Sequence, residues 1–187
     1  LVNAAHANNQ NAVAIAFDPH PLSLLDGHGP PLLTTVSERL ALMTRLDLDT
    51  VVVLPFTENV LKTTADQFVG DLIDRLNLAE IWVGPDFTLG HGQQGNVAYL
   101  RSLGTRLGFQ VRVIEPVKWR GDVVRSSRIR AALQHGDIEE ANGCLGRPYH
   151  ISGTVVSGRD LGRDIRVPTA NIAPPPSRLI PASGVYA

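Results

Sequence analysis

Two short runs in this chain carry side chains suited to holding phosphate: Ser126-Ser-Arg-Ile-Arg130 and Pro168-Thr-Ala-Asn171. A helix beginning at Ser126 aims its free backbone amides at an anion, and the two serine hydroxyls add donors. Arg130, one turn further on, is placed to fork onto phosphate oxygens. A polyphosphate held this way needs no metal ligand from the motif. The same five residues also read as a serine helix cap with a solvated arginine, and Thr169 with Asn171 as a turn after a strand. Lys118, Arg120, Arg125, Arg128 and Arg130 fall within thirteen residues, with Asp122 the only acid among them. That local excess suits a polyanionic small ligand. Two phosphate-handling runs so close together suggest two chemistries on one polypeptide, and the nearness of the second to Ala187 suggests an incomplete one.

The rest of the composition narrows the classes. A net charge of -1 argues against a general nucleic-acid binder, whose footprint is strongly basic. The single cysteine, Cys144, rules out an intrachain disulfide and a cysteine-based metal cage, and its helical surroundings mark it as a small core residue. No apolar run reaches the length of a membrane span, so no membrane association is expected. Leu1-Val-Asn-Ala-Ala-His reads as the end of an amphipathic helix rather than a signal peptide, and a cytoplasmic location is the default.

The elements that must position these residues follow from periodicity. Residues 12–17, 51–54, 81–83 and 111–114 are short apolar runs of the kind that form buried parallel strands. Between them, Thr35-x-x-Glu38 and Thr64-x-x-Gln67 each spell a capping box. Leu40, Met43 and Leu46 follow the first box at helical spacing, and Ala65, Phe68, Val69, Leu72, Ile73 and Leu76 form an apolar stripe after the second. Asn96 to Leu107 predicts a third helix, closed by Gly108. The order β-α-β-α-β-α-β predicts an α/β fold: a Rossmann-like parallel sheet with helices on both faces. Ser126 starts a helix through Leu133 that Gly136 stops, and Asp137 caps the next, through Leu145. Near residue 147 helical periodicity ends. Tyr149, Ile151, Gly153 and Val155 then alternate as a half-exposed strand does, and glycine and proline become dense. The division is therefore 1–146 for the α/β domain and 147–187 for the start of a β-rich one, whose length can hardly bury a core of its own.

In parallel sheets ligands sit beyond the carboxyl ends of the strands, and those ends hold the unusual residues. His20 stands between Pro19 and Pro21, which fix the backbone on both sides and aim the imidazole. Asp86 and Phe87 lie in the Gly84–Gly90 loop, where they can contact a ribose hydroxyl and an aromatic ring, or form a turn aspartate and a packed phenylalanine.

With these runs in view, the chain resembles the bacterial bifunctional riboflavin kinase/FAD synthetase (FMN adenylyltransferase) family. The residues that carry the resemblance are Phe17-Asp-Pro-His-Pro21, Leu33-Thr-Thr35, Leu54-Pro-Phe-Thr57, Phe68-Val69, Val83-Gly-Pro-Asp-Phe87 with Gly90, Ser126-Ser127 with Ile129-Arg130, Leu145-Gly-Arg-Pro-Tyr149, Pro168-Thr-Ala-Asn171 and Gly184-Val-Tyr-Ala187. The resemblance implies a nucleotidyltransferase domain that converts FMN to FAD with release of pyrophosphate, then a six-stranded β-barrel that phosphorylates riboflavin. It assigns Ser126, Ser127 and Arg130 to the ATP phosphates of the adenylyltransferase, and puts His20, Asp86 and Phe87 in its substrate pocket. It assigns Thr169 and Asn171 to Mg²⁺ and ATP in the kinase, with Gly158 and Gly162 in a loop over the nucleotide. Hydroxyl and amide oxygens are hard ligands that Mg²⁺ shares with substrate phosphates. The ligands implied are ATP, riboflavin, FMN and FAD.

The match departs at Arg125, where a third serine is usual, and at Ile165-Arg-Val167, where Leu-Gly-Phe is usual. The family's HxGH-type pair is absent, as is the glutamate that serves the kinase as base. The resemblance thus implies a fragment lacking both ends, with the catalytic residues outside the chain and neither activity expected of it; FAD formed from FMN and ATP by this polypeptide would overturn that expectation. Two alternatives stand beside it: a non-catalytic nucleotide- or flavin-binding module, and a different small-molecule nucleotidyltransferase.

Overall fold

The computed structural model describes residues 1–25, 29–157 and 169–186. The chain divides into two compact units, Leu1–Pro30 with Val36–Val117, and Pro31–Thr35 with Lys118–Ala187.

The first unit runs α1 (Val2–Ala7), β1 (Val13–Asp18), α2 (Pro21–Leu25), α3 (Val36–Met43), β2 (Thr50–Pro55), α4 (Glu58–Lys62), α5 (Ala65–Leu76), β3 (Glu80–Val83), β4 (Thr88–Leu89), β5 (Gly95–Asn96), α6 (Val97–Leu107) and β6 (Gln110–Val113). The four apolar runs are β1, β2, β3 and β6. β1 lies parallel to β2, with Val13 opposite Thr50 and Asp18 opposite Pro55. β3 lies parallel to β6, with Glu80 opposite Gln110 and Val83 opposite Val113. Among the described residues neither pair hydrogen-bonds to the other, so the single continuous sheet anticipated from the sequence is replaced by two parallel ladders. Each ladder joins strands linked by their own crossover; the β2-to-β3 connection through α4 and α5 brings no pairing. The short β4–β5 hairpin was not anticipated.

Local chemistry sets the helix ends. Thr64 Oγ1 accepts from the Gln67 amide (3.2 Å) while Gln67 Oε1 accepts from the Thr64 amide (3.0 Å), which completes the second capping box. Asn96 caps α6 by accepting from the Tyr99 amide at 2.9 Å, and Gly108 ends that helix with φ 85°. Val69 of α5, Leu100 and Leu103 of α6, and Phe109 form the core of this unit, with Ile73, Ile81 and Val111 packed against it.

Gly104 lies on the buried side of α6, where a β-carbon would run into the Phe109 carbonyl oxygen. Alanine's better helix propensity gains about 1 kcal/mol, but the clash is with backbone that cannot swing away, and overpacking of this kind costs roughly 1–3 kcal/mol. Gly104→Ala is therefore expected to lower the urea midpoint; an unchanged or raised midpoint would show that the β6 approach yields freely.

The α1 end of the unit is held by Asp49. Its Oδ2 accepts from the Ala12 amide at 2.7 Å and lies 2.9 Å from His6 Nε2. The Ala12 amide first, and then the His6 ring, hold the Asp49 carboxyl below its ordinary value. A depressed carboxylate contributes stability that is present above its unfolded pKa and lost as pH falls through the folded one. Acid is therefore expected to release α1 before the rest of the unit, and Asp49→Asn to remove that phase from an acid titration followed by α1 amide exchange.

The second unit runs β7 (Lys118–Trp119), β8 (Asp122–Val123), α7 (Ser126–Gln134), α8 (Ile138–Leu145), β9 (Thr154–Val156) and β10 (Asn171–Ala173). β7 and β8 form a tight hairpin whose turn residues, Arg120 and Gly121, have φ of 51° and 88°. Paired positive φ values of this kind mark a turn that matches the twist of the strands. Ile129, Ala132 and Leu133 of α7, Ala141 and Cys144 of α8, and Leu179 form the core, with Trp119, Val124 and Tyr149 packed on it. Burial pushes the Cys144 thiol up, as fits its place in that core.

Tyr149 does not enter a strand as its alternating pattern suggested. Its amide donates to Asn142 Oδ1 and its hydroxyl to the Leu179 carbonyl, both at 2.7 Å, so its hydrogen bonds go to α8 and to residue 179 instead of a ladder. The strand begins only at Thr154, and β9 pairs antiparallel with β10. Arg178 is 4% exposed at the centre of this arrangement. It donates to the carbonyls of Leu32 (2.8 Å) and His150 (2.7 Å) and to the Tyr149 hydroxyl (2.7 Å), and its guanidinium lies 4.7 Å from the Tyr149 ring centroid. Leu32 also bonds to Ser177 and Leu179 through backbone, which is why residues 31–35 belong to the second unit.

Candidate functional site

The start of α7 collects the first phosphate-handling run. Arg125 is the N-cap residue and makes no side-chain cap; Ser126 and Ser127 are the first two helical residues, and among the described residues no capping side chain covers the first-turn amides. Both serines are exposed. The reading of a serine as the cap itself does not describe this helix. Arg130 is half-buried, and its Nε donates to the Pro31 carbonyl at 2.8 Å. That bond fixes one edge of the guanidinium and leaves Nη1 and Nη2 unengaged among the described residues. Burial holds this guanidinium below its ordinary value without threatening its charge.

The other cations of the basic run divide by what they touch. Arg120 pairs with Glu139, and with Glu140 at 3.9 Å. Arg128 pairs with Glu140 and reaches three backbone carbonyls of the β7–β8 hairpin. Lys118 is exposed on β7 and has no side-chain partner among the described residues. Net positive charge beside α7 therefore rests on fewer groups than the sequence count suggests. The pairing was not legible in the sequence, because Glu139 and Glu140 lie beyond the run and meet it only when α8 folds back on α7.

In the first unit, His20 follows β1 and is half-buried; its Nδ1 accepts from the Leu22 amide at 3.2 Å, with Pro21 opening α2. Such a bond leaves the ring proton on Nε2 when the imidazole is neutral. At the carboxyl ends of β1 and β2, the Phe56 amide donates to the Asp18 carbonyl at 2.8 Å, and the Phe17 and Phe56 rings meet edge-on at 5.3 Å. Asp86 and Phe87 are exposed in the turn after β3, which the Phe87 amide closes onto the Gly84 carbonyl at 3.2 Å. Gly90, with φ 77°, packs against the backbone of Ala65 at the start of α5, an approach that a β-carbon would block.

Thr169 and Asn171 are both exposed, with Asn171 the first residue of β10, opposite Val156. Gly158, Gly162, Arg166 and Pro168 lie outside the described residues. Among the described residues no cluster of three or more His, Cys, Asp or Glu side chains is placed to hold a metal ion, and no helix is long and apolar enough to cross a membrane.

Parallel strand pairs joined by helical crossovers, with the unusual residues at their carboxyl ends, define an α/β fold of the nucleotidyltransferase type. The chain belongs to the FAD synthetase family, whose model matches residues 1–128; the riboflavin kinase model matches residues 145–187. Among its relatives are three bifunctional riboflavin kinase/FMN adenylyltransferases. That of Buchnera aphidicola subsp. Schizaphis graminum is 34% identical over 92% of this chain and 56% of its own length. That of Escherichia coli K12 is 33% identical over 100% of this chain and 60% of its own. That of Bacillus subtilis is 34% identical over 92% of this chain and 55% of its own. The chain thus spans between 55% and 60% of the length of these relatives. A solved structure described as a macrolide-efflux protein from Streptococcus pneumoniae superposes with a TM-score of 0.85 at 29% identity, covering 98% of this chain and 60% of that one.

Proposed function

We propose that this chain is part of a flavin-cofactor-synthesising enzyme of the cytoplasm, one that phosphorylates riboflavin to FMN and adenylylates FMN to FAD. Residues 1–146 belong to the adenylyltransferase and residues 147–187 to the kinase. The observation that carries the reading is the start of α7: two exposed serines, uncapped amides and an arginine already anchored by one edge. The family matches to residues 1–128 and 145–187 support it independently.

Ser126, Ser127 and Arg130 hold the ATP triphosphate through the first-turn amides, the two hydroxyls and the guanidinium fork. Adenylyl transfer requires the FMN phosphate to attack the α-phosphorus in line while pyrophosphate leaves. These residues orient the triphosphate and neutralise its charge, which is most of what such a step asks of a protein. His20, Asp86 and Phe87 contribute to the substrate pocket. In the kinase part, Thr169 and Asn171 offer a hydroxyl and an amide oxygen two positions apart on exposed backbone, a donor set that fits Mg²⁺ shared with nucleotide phosphates. Bound there, the ion would supply charge neutralisation.

Titration of FMN with the chain in the presence of ATP tests the reading. Saturable quenching of flavin fluorescence, reversed by FAD, is the expected result. ATP binding without any flavin binding would favour a nucleotidyltransferase for another small molecule, and binding of neither would overturn the proposal.

A further inference from the structure

Arg128 lies between the serines and Arg130, yet its side chain points away from phosphate duty. Nε donates to Glu140 Oε1 at 2.7 Å, and Nη2 contacts the same oxygen. Nη1 donates to the carbonyls of Asp122 (2.9 Å) and Val123 (3.4 Å), and Nη2 to that of Trp119 (3.2 Å). A guanidinium has five N–H donors, and these contacts occupy them all. The Arg128 and Glu140 side chains are 23% and 17% exposed, so bulk water does not readily replace the contacts. Glu140 is itself fixed: its amide donates to Asp137 Oδ1 at 3.0 Å, and Arg120 approaches its second oxygen. Only Val124 and Arg125 separate β8 from the first residue of α7. Wherever the hairpin sits, the amides of Ser126 and Ser127 follow three and four residues after Val123.

We infer that Arg128 and Glu140 are positioning residues for the Ser126–Arg130 phosphate site: the pair clamps the β7–β8 hairpin to α8 and thereby sets the place and direction of the first turn of α7. The inference rests on the proposed phosphate role of that turn. It explains why a cation in the middle of the run is spent on backbone carbonyls: no neutral side chain supplies five donors in one plane.

Calorimetric titration of the 187-residue chain with inorganic tripolyphosphate tests it. Arg128→Lys, which keeps the charge but not the fork, is expected to weaken binding about tenfold while the chain stays folded by circular dichroism, because small displacements of a preorganised site are costly. Glu140→Gln separates positioning from simple electrostatics. Removing a negative charge beside the site would tighten anion binding if field alone mattered, whereas loosening the clamp weakens it. If Arg128→Lys does not fold, Glu140→Gln decides, since it keeps an oxygen toward Arg128. Unchanged or tighter binding by Glu140→Gln, with binding lost in Arg130→Ala, overturns the clamp and leaves the phosphate site standing. Full binding by Arg130→Ala overturns the phosphate site itself, and the clamp with it.

Discussion

Replacing Arg178 by alanine is expected to destabilise the second unit by about 4 kcal/mol, since hydrogen bonds to a charged donor are each worth roughly 1.5–3 kcal/mol and breaking a buried charged group's contacts costs roughly 3–5 kcal/mol. The guanidinium is buried and joins three stretches distant in sequence: Leu32, Tyr149 with His150, and its own segment beside Leu179. Truncation leaves the Leu32 and His150 carbonyls and the Tyr149 hydroxyl facing a cavity. A loss of this size is a large part of the roughly 5–15 kcal/mol that stabilises an ordinary domain. Arg178→Lys retains the charge but places it on one nitrogen, which cannot reach carbonyls on two sides; it is expected to recover less than half the loss. Urea unfolding followed by Trp119 emission in a Trp82→Phe background reads the effect, because Trp119 packs on the core of this unit. A change below 1 kcal/mol would mean that the Leu32 and Leu179 backbone bonds alone carry the tie.

The second large effect concerns ligand binding. Arg130→Ala is expected to reduce affinity for ATP about a hundredfold, since two charge-assisted hydrogen bonds of roughly 1.5 kcal/mol each correspond to about 3 kcal/mol. The Pro31 carbonyl already orients the guanidinium, so little side-chain entropy remains to be lost on binding. Arg130→Lys should recover little, because an ammonium cannot keep the Pro31 contact and fork onto phosphate together. The affinity of the unaltered chain should also fall as salt is raised, as for any exposed charge contact. Equal affinity of the Arg130→Ala and unaltered chains would place the nucleotide elsewhere.

The sequence was legible where one element decides the outcome. The four apolar runs became β1, β2, β3 and β6 because a buried parallel strand needs little more than a short β-branched run and a crossover. The Thr64–Gln67 box, the Asn96 start of α6, the Gly108 helix end and the Asp137 start of α8 depend on neighbours only, and all are present. The α7 start was legible for the same reason. What escaped were outcomes set by distant partners. Strand-to-strand pairing is not written in the apolar pattern, and the two ladders were read as one sheet. Tyr149 carries strand-like alternation yet is claimed by Asn142 and Leu179. Arg178 and Arg128 look like solvated surface arginines in one dimension; both are tied to carbonyls that only folding assembles. The one usable hint for Arg128 was Asp137-x-x-Glu140: a capped helix just after a basic run brings acids within reach of it.

Backbone amide shifts during an ATP titration locate the nucleotide on the chain. The Ser126, Ser127 and Arg128 amides are expected to move first and saturate together, and these shifts to vanish in Arg130→Ala. Saturating shifts that spare α7 and fall elsewhere, such as on Thr169 to Ala173 alone, would contradict that placement.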